Sequence, residues 1–503
     1  MSTRAEQQPL LAHGTHDQAH EDAVTPNDAP SRSLEDDVLP ETSSLGRNLT
    51  WTSSYMLVIS RVIGSGIFAT PGSIVQSVGS PGLSLLLWIV GAIIAASGLA
   101  ISLEYGCMLP RSGGQKVYLE FTYRHPRFLA STLVAINAVL LGFTASNCVI
   151  FSQYVLFAAG WDEGHAFARR GLAVALLSLV TIIHAAFPRF GVRAQNLLGW
   201  VKIGIVLFMV LCGTYAVFAR QDTSSIGRNS LSWENLWRDS NWNWGVLSTA
   251  LFKVFYSYAG LDNVTNVLNE VKDPVRTMRS VTLTALFTAC SLYFLINLAY
   301  FVVVPLDDIK GSGELIAALF FERIFGEAVG RKVLPLAVAL SAAGNVMVVT
   351  FAMVRLFPDP TPDQGTNQTK ARIKQEIARQ GFLPLSDILS STKPFNSPLG
   401  GLMVNYIPSL LVIVLPPSNE VYSFILEIEG YTAQIFSVAV GIGLLWLRHK
   451  MPYLNRPYKA WIPAVVLRLL LGVQLLAAPF FPPADKYQGG MFYATYAIVG
   501  VAT

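Results

Sequence analysis

Val62-Ile63-Gly64-Ser65-Gly66-Ile67-Phe68 lies inside an apolar run from Trp51 to Gly79 and interrupts it with two glycines and a serine. The run reads as a membrane-spanning helix with a gap in its backbone. A helix broken at mid-bilayer frees amide N–H groups and carbonyls that hydrocarbon cannot satisfy, so the gap persists only where it lines a cavity or holds something. The competing reading of Gly64 to Gly66 is a small-residue contact between helices.

Composition supports the membrane. The chain has 503 residues, of which 52% are hydrophobic and 14% charged, outside the range of soluble globular domains. At about 20 residues per span, the apolar runs predict helices near 51–79 (broken), 82–109, 128–158, 171–187, 195–218, 245–269 (broken), 279–304, 333–356, 400–416, 421–447 and 458–481. A partial helix is expected from residue 489 to the last residue, Thr503. The expected fold is therefore all-α and polytopic, with about 12 transmembrane helices, the last incomplete. Cys107, Cys148, Cys212 and Cys290 all fall in apolar runs without paired spacing, which points to packing and away from disulfides or zinc.

Basic residues cluster in alternate loops: Arg111 to Arg127, Arg189 and Arg193, Lys272 to Arg279, Lys370 to Lys393, and Arg448 to Lys459. The turn 159–168 carries Asp162 and Glu163 and no Lys or Arg. This bias predicts a cytosolic N-terminus, with Arg169, Arg170, Arg331 and Lys332 as exceptions. Residues 1–50 are polar and acidic, as at Glu35-Asp36-Asp37, without the apolar core of a signal peptide, and read as a disordered cytosolic tail. The sequon at Asn48 would then be unused.

The second interrupted span is Leu251-Phe252-Lys253-Val254-Phe255-Tyr256-Ser257-Tyr258-Ala259-Gly260-Leu261-Asp262-Asn263. Breaks in the first and sixth spans are what a five-plus-five inverted repeat produces, and such a pair points to a transporter's binding site. On that division 51–218 forms the first repeat, 245–447 the second, with a cytoplasmic loop and helix over 357–399, and 458–503 adds further helices. Lys202, in the fifth span, either snorkels to the interface or is an ionisable group held inside the membrane, which is functional by default. Ser341, Asn345 and Thr350 offer a site wall or close packing in the eighth span. Pro358 to Asn367 reads as a loop, followed by an amphipathic helix over Lys370 to Gln380. Glu427 and Glu429 read as ringing an outer mouth, with proton transfer as the alternative.

Six segments then converge: VIGSGIFATP at 62–71, PRSGGQKVY at 110–118, FYSYAGLDNV at 255–264, NEVKDPVRT at 269–277, KQEIARQGFLP at 374–384 and NRPYK at 455–459. Together, over roughly residues 50–503, they resemble the amino acid, polyamine and organocation superfamily, within it the L-type amino acid transporters, and most closely the fungal high-affinity methionine permeases. The resemblance implies a leucine-transporter-type fold. It places the substrate carboxylate on the amides of Ser65 and Gly66 within the break Val62, Ile63, Gly64, Ser65, Gly66, with Gly64 permitting the turn. Helix N-termini suit an anion on physical grounds as well. It places the α-ammonium on carbonyls of Val62, Tyr256 and Ala259, at the second break Tyr256, Ser257, Ala259 and Gly260, with Tyr256 closing over the substrate. Lys202 falls where proton-coupled relatives carry a lysine in place of a sodium ion.

Three departures stand out. Ala259 and Leu261 replace the glycine and tryptophan common in relatives, Leu356 to Thr369 reads as inserted, and residues 159–168 lack the cysteine that joins a heavy subunit. The expected function is import of a neutral amino acid, methionine foremost, by proton-coupled alternating access in the plasma membrane. The expected partners are the amino acid, a proton and the lipid bilayer, with no cofactor, no metal, no nucleic acid and no disulfide-linked heavy subunit. Exchange or facilitated movement of another amino acid or a polyamine, and a non-transporting nutrient sensor, are the alternatives. No catalytic triad, metal cluster or phosphate loop suggests an enzyme.

Overall fold

The computed structural model describes residues 47, 49–126, 129–140, 144–161, 166–219, 231–354, 399–415 and 421–477. The chain divides into Met1–Val38, which holds no described residue, and Leu39–Thr503, which holds all of them. The acidic part of the tail, the proline-rich loop, the helix over Lys370 to Gln380 and the helix from 489 lie outside the described residues.

In chain order the helices are α1 Trp51–Val62, α2 Gly66–Val78, α3 Pro81–Met108, α4 Gln115–Thr122, α5 Leu129–Leu140, α6 Ala145–Ala158, α7 Ala166–Ala186, α8 Pro188–Ala219, α9 Trp233–Leu236, α10 Trp244–Tyr258, α11 Pro274–Val303, α12 Leu306–Gly311, α13 Ile316–Gly326, α14 Leu334–Val354, α15 Leu399–Val414, α16 Val421–Lys450 and α17 Ile462–Ala477. A 3-10 segment, Asn263–Glu270, follows α10, and a π turn, Glu327–Arg331, follows α13. Among the described residues the one bridge outside helices pairs Leu49 with Val271.

Six stretches are long and apolar enough to cross a membrane: Trp51–Val78 across its gap, Pro81–Met108, Ala166–Ala186, Leu197–Ala216, Pro274–Val303 and Ile425–Lys450. The pair Ile316–Arg331 and Leu334–Thr350, bent by 91° at its break, is a broken span or a re-entrant loop. The chain is an all-α polytopic membrane protein. In Trp51–Val78, 89% of the apolar stretch is buried within the protein, against 28–50% in the other five. The broken helix is therefore the centre of the bundle and the others surround it.

Local chemistry sets the ends. Thr50 caps α1 by accepting from the Ser53 N–H, Ser80 caps α3 from the Leu83 N–H with Pro81 in the first turn, and Asn243 caps α10 from the Gly245 N–H. Inside α2, Pro71 has no N–H for the Ile67 carbonyl, and the Tyr300 hydroxyl donates to that oxygen instead at 3.3 Å.

Two differences from the sequence reading concern α5, α6 and α13. The run 128–158 forms two helices, Leu129–Leu140 and Ala145–Ala158. Residues 316–331, expected as an outer loop, are helical.

Where α1 begins, the residue leading into it is laced to the end of the 3-10 segment. The Leu49 N–H donates to the Glu270 carbonyl (2.8 Å) and the Lys272 N–H to the Leu49 carbonyl (2.9 Å). The turn before α4 docks on the 3-10 segment through Ser112 N–H to Asn269 Oδ1 and Asn269 N–H to Ser112 Oγ, both 3.0 Å. Gly114 makes that turn at φ +52°, where a side chain would also strike Thr265 and Asn266. Nearby, the fully buried Glu104 carboxylate at the end of α3 receives Arg448 of α16, the Ala460 N–H at 2.8 Å and an ion contact from Arg456 at 3.4 Å.

Candidate functional site

The first break begins where the Ile63 N–H makes the last bond of α1, to the Ile59 carbonyl at 2.9 Å. The carbonyls beyond it have lost their helical donors. Two are recovered by side chains: Ser60 O accepts from Lys202 Nζ at 3.0 Å, and Val62 O lies 2.7 Å from the Tyr293 hydroxyl. Tyr293 Oη is also 2.8 Å from Ser257 O, the carbonyl at the second break. Its single proton serves one of the two at a time.

On the far side of the gap, α2 starts with its N-cap Ser65 making no side-chain cap bond. The Phe68 and Ala69 N–H groups both donate to Ser65 O, at 3.1 and 3.0 Å. The amides of Ser65, Gly66 and Ile67 have no acceptor among the described residues. A buried helix N-terminus thus presents unpaired donors beside Ser65 Oγ, the arrangement that accepts an anion.

The second break abuts the first. The Ala259 N–H turns back to Tyr256 O at 3.2 Å, and Gly260 takes φ +101°, a left-handed conformation that favours glycine. A Cβ on Gly260 would stand 2.5 Å from Arg61 Cγ, and one on Gly66 would stand 2.7 Å from Ser257 Oγ. Neither Gly64 nor Gly66 has a positive φ, so their small size serves close approach to neighbours rather than a left-handed turn. Ser257 Oγ lies 3.1 Å from Thr70 Oγ1, and Tyr256 Oη lies 3.3 Å from Ser65 Oγ. Ala259, in the gap, is exposed.

Lys202 is fully buried, which excludes snorkelling. Besides Ser60 O it donates to Asn345 Oδ1 of α14 at 3.3 Å. Asn345 Nδ2 donates to Asn147 Oδ1 of α6 at 3.0 Å, and Asn147 Nδ2 to Tyr256 Oη at 3.3 Å. Ser146 Oγ is 3.0 Å from the same phenol oxygen. Arg61 acts electrostatically on Lys202, Tyr256, Asp262 and Glu429.

The two proposed breaks thus meet through Ser65 with Tyr256 and Thr70 with Ser257, and Lys202 reaches the first of them at Ser60 O. Of the three carbonyls expected to face an ammonium, Val62 O is shared with Tyr293, Tyr256 O holds the Ala259 N–H, and Ala259 O accepts no backbone bond among the described residues.

Sequence reasoning missed Asn147, Tyr293 and Arg61. Arg61, an ionisable residue three positions before the first glycine, carried a signal that was there to be used. The other two are unremarkable polar residues in apolar helices, and no spacing marks them.

Comparison with known proteins adds a family profile and relatives. The profile described as amino acid permease matches residues 49–359 and 368–502, and so skips part of the stretch 356–369 that reads as inserted. The chain is 34% identical to the high-affinity methionine permease of Saccharomyces cerevisiae over 435 residues, covering 85% of this chain and 72% of that protein. It is 30% identical to that organism's low-affinity methionine permease over 458 residues, covering 91% and 80%. It is 25% identical to the human b(0,+)-type amino acid transporter 1 over 448 residues, covering 88% and 84%.

Proposed function

The chain belongs to the amino acid permease family, and we propose that it imports a neutral L-amino acid, methionine foremost, by proton-coupled alternating access. The observation that carries this is the meeting of the uncapped amides of α2 with the carbonyl end of α10, joined by the contacts Gly66 to Ser257 and Ser65 to Tyr256. An amino acid zwitterion has charges to match both. Its carboxylate takes the amides of Ser65 and Gly66, in the break that Gly64 opens. Its ammonium takes the carbonyls of Val62, Tyr256 and Ala259. Tyr293 retains Ser257 O as an acceptor when the ammonium takes Val62 O, so neither group is left unpaired.

Methionine is favoured by the names of the two yeast relatives, and the side chain would sit by Tyr256 and Leu261. Lys202 reaches the α1 carbonyl at Ser60 and is the proposed proton carrier: a cation there ties α1 to α8, and its loss loosens that tie. The two halves 51–218 and 245–447 would act as inverted repeats that rock about the paired breaks. The bonds of Leu49 to Glu270 and Lys272 close one end and would part on opening. We place the N-terminus in the cytosol, the protein in the plasma membrane, and no disulfide-linked heavy subunit beside it, since residues 159–168 hold no cysteine.

The test is uptake of labelled methionine into proteoliposomes holding the full chain, with and without an imposed pH gradient. Accumulation driven by an acidic exterior, lost in Lys202→Ala while that variant still inserts, is expected. Binding without flux would favour a sensor instead, and gradient-independent uptake would remove proton coupling.

A further inference from the structure

Between Lys202 and Tyr256 every hydrogen bond has one possible direction. A lysine ammonium has only protons to give, so Asn345 must turn Oδ1 to Lys202 Nζ, 3.3 Å away. Its Nδ2 then faces Asn147, which must present Oδ1 at 3.0 Å. Asn147 Nδ2 in turn donates to Tyr256 Oη at 3.3 Å. Tyr256 Oη, with that donor on it, has Ser146 Oγ and Ser65 Oγ at 3.0 and 3.3 Å as acceptors for its own proton. Five helices, α8, α14, α6, α10 and the broken first span, are joined by this one-way chain.

Its middle is sealed, with Asn345 and Asn147 exposed by only 3% and 4%. Gly64 makes room for it, because a Cβ there would stand 2.6 Å from Asn345 Nδ2. Of the charged groups whose fields bear on it, Arg61 on Lys202 and Tyr256 and Glu429 on Tyr256, neither hydrogen-bonds into it among the described residues.

We propose that Asn345 and Asn147 are positioning residues that transmit the state of Lys202 to the Tyr256 hydroxyl, and so set whether that hydroxyl is turned toward Ser65 at the substrate break. The proposal rests on the transport reading of the site. A charged Lys202 polarises both amides in the same sense, and networks of this kind act as a unit. Loss of the ammonium removes the fixed direction at its source.

The discriminating variant is Asn345→Asp. Ionised beside the Lys202 ammonium, its carboxylate accepts from Lys202 but cannot donate, so Asn147 must flip to donate to it and offer Oδ1 to Tyr256. The phenol proton then points to Asn147 and away from Ser65, while every residue keeps a partner and the fold is spared. Labelled methionine uptake by the full chain in proteoliposomes is measured for wild type, Asn345→Asp, Tyr256→Phe and the double variant. The expected result is a rise of about tenfold in apparent KM for Asn345→Asp, the equivalent of one hydrogen bond. In the Tyr256→Phe background, which has no hydroxyl to direct, the substitution should add nothing.

Wild-type KM in Asn345→Asp, or an effect that multiplies fully with Tyr256→Phe, would overturn the relay. Asn345→Leu serves as a second break in the chain and must show the same dependence on Tyr256. Should wild-type vesicles take up no methionine, the transport reading fails separately. The relay is then judged from melting temperatures of the same four proteins, where non-additive shifts support it and additive shifts overturn it.

Discussion

At Gly66 the important group is a hydrogen atom. A methyl there would stand 2.7 Å from Ser257 Oγ and 3.0 Å from Ser257 Cα, so α2 and α10 would have to separate where the substrate is proposed to bind. Overpacking of this kind costs about 1–3 kcal/mol, and Gly66→Ala is expected to lower methionine uptake by about tenfold or more. Gly204→Ala in α8, which meets nothing within 4 Å, serves as the control and should transport normally. Uptake assays on both variants check the claim. The glycines were legible in the sequence because an interrupted apolar run has few explanations. Their reason was not: the neighbours that demand a glycine, Ser257 at Gly66 and Asn345 at Gly64, are distant in sequence.

At the scale of elements, the breaks are stabilised by side chains from helices behind them. Tyr293 of α11 is fully buried, with Trp88 edge-on at 5.6 Å and Tyr258 at 5.2 Å, and its hydroxyl lies within reach of both Val62 O and Ser257 O. Tyr293→Phe keeps the ring packing and removes the one proton that the two carbonyls share, a cost of about 1–3 kcal/mol. The expected outcome is a lower melting temperature for the purified protein; an unchanged one would mean that the carbonyls find other donors.

Glu314, in the turn before α13, gives a pH prediction. Burial holds its carboxyl above the usual carboxylate range, with Lys253 opposing the shift. The folded chain therefore keeps a proton that the unfolded chain has released, and stability falls as pH rises from the ordinary carboxylate value through the folded one. Glu314→Gln should melt at a higher temperature than wild type above that range and match it at acid pH. A difference that persists at acid pH would contradict this. The turn was easy to overlook, because α13 with its 11 residues is too short to register as a span. The run 128–158 was read as one helix because its apolar character runs through both α5 and α6.

For the whole molecule, the spans, the two breaks and the all-α class could be read from apolar periodicity and glycine placement. Pairings over long sequence distances could not. NRPYK gave no hint that Arg456 reaches Glu104, nor did Lys202 announce its route through Asn345 and Asn147 to Tyr256. Those contacts arise from how the helices stack, and a single sequence does not record stacking. They also tie the site into the bundle: α1 is held by Lys202 at its break, and Leu49, just before its start, pairs with Glu270 and Lys272.

The central claim is that the paired breaks hold both charged ends of an amino acid. The most direct measurement is competition against labelled methionine uptake in proteoliposomes by unlabelled methionine, its methyl ester and N-acetylmethionine. The ester lacks the carboxylate for the α2 amides, and the acetylated form lacks the ammonium for the carbonyls. Competition by methionine alone is the predicted result, and equal competition by either blocked form would contradict the account.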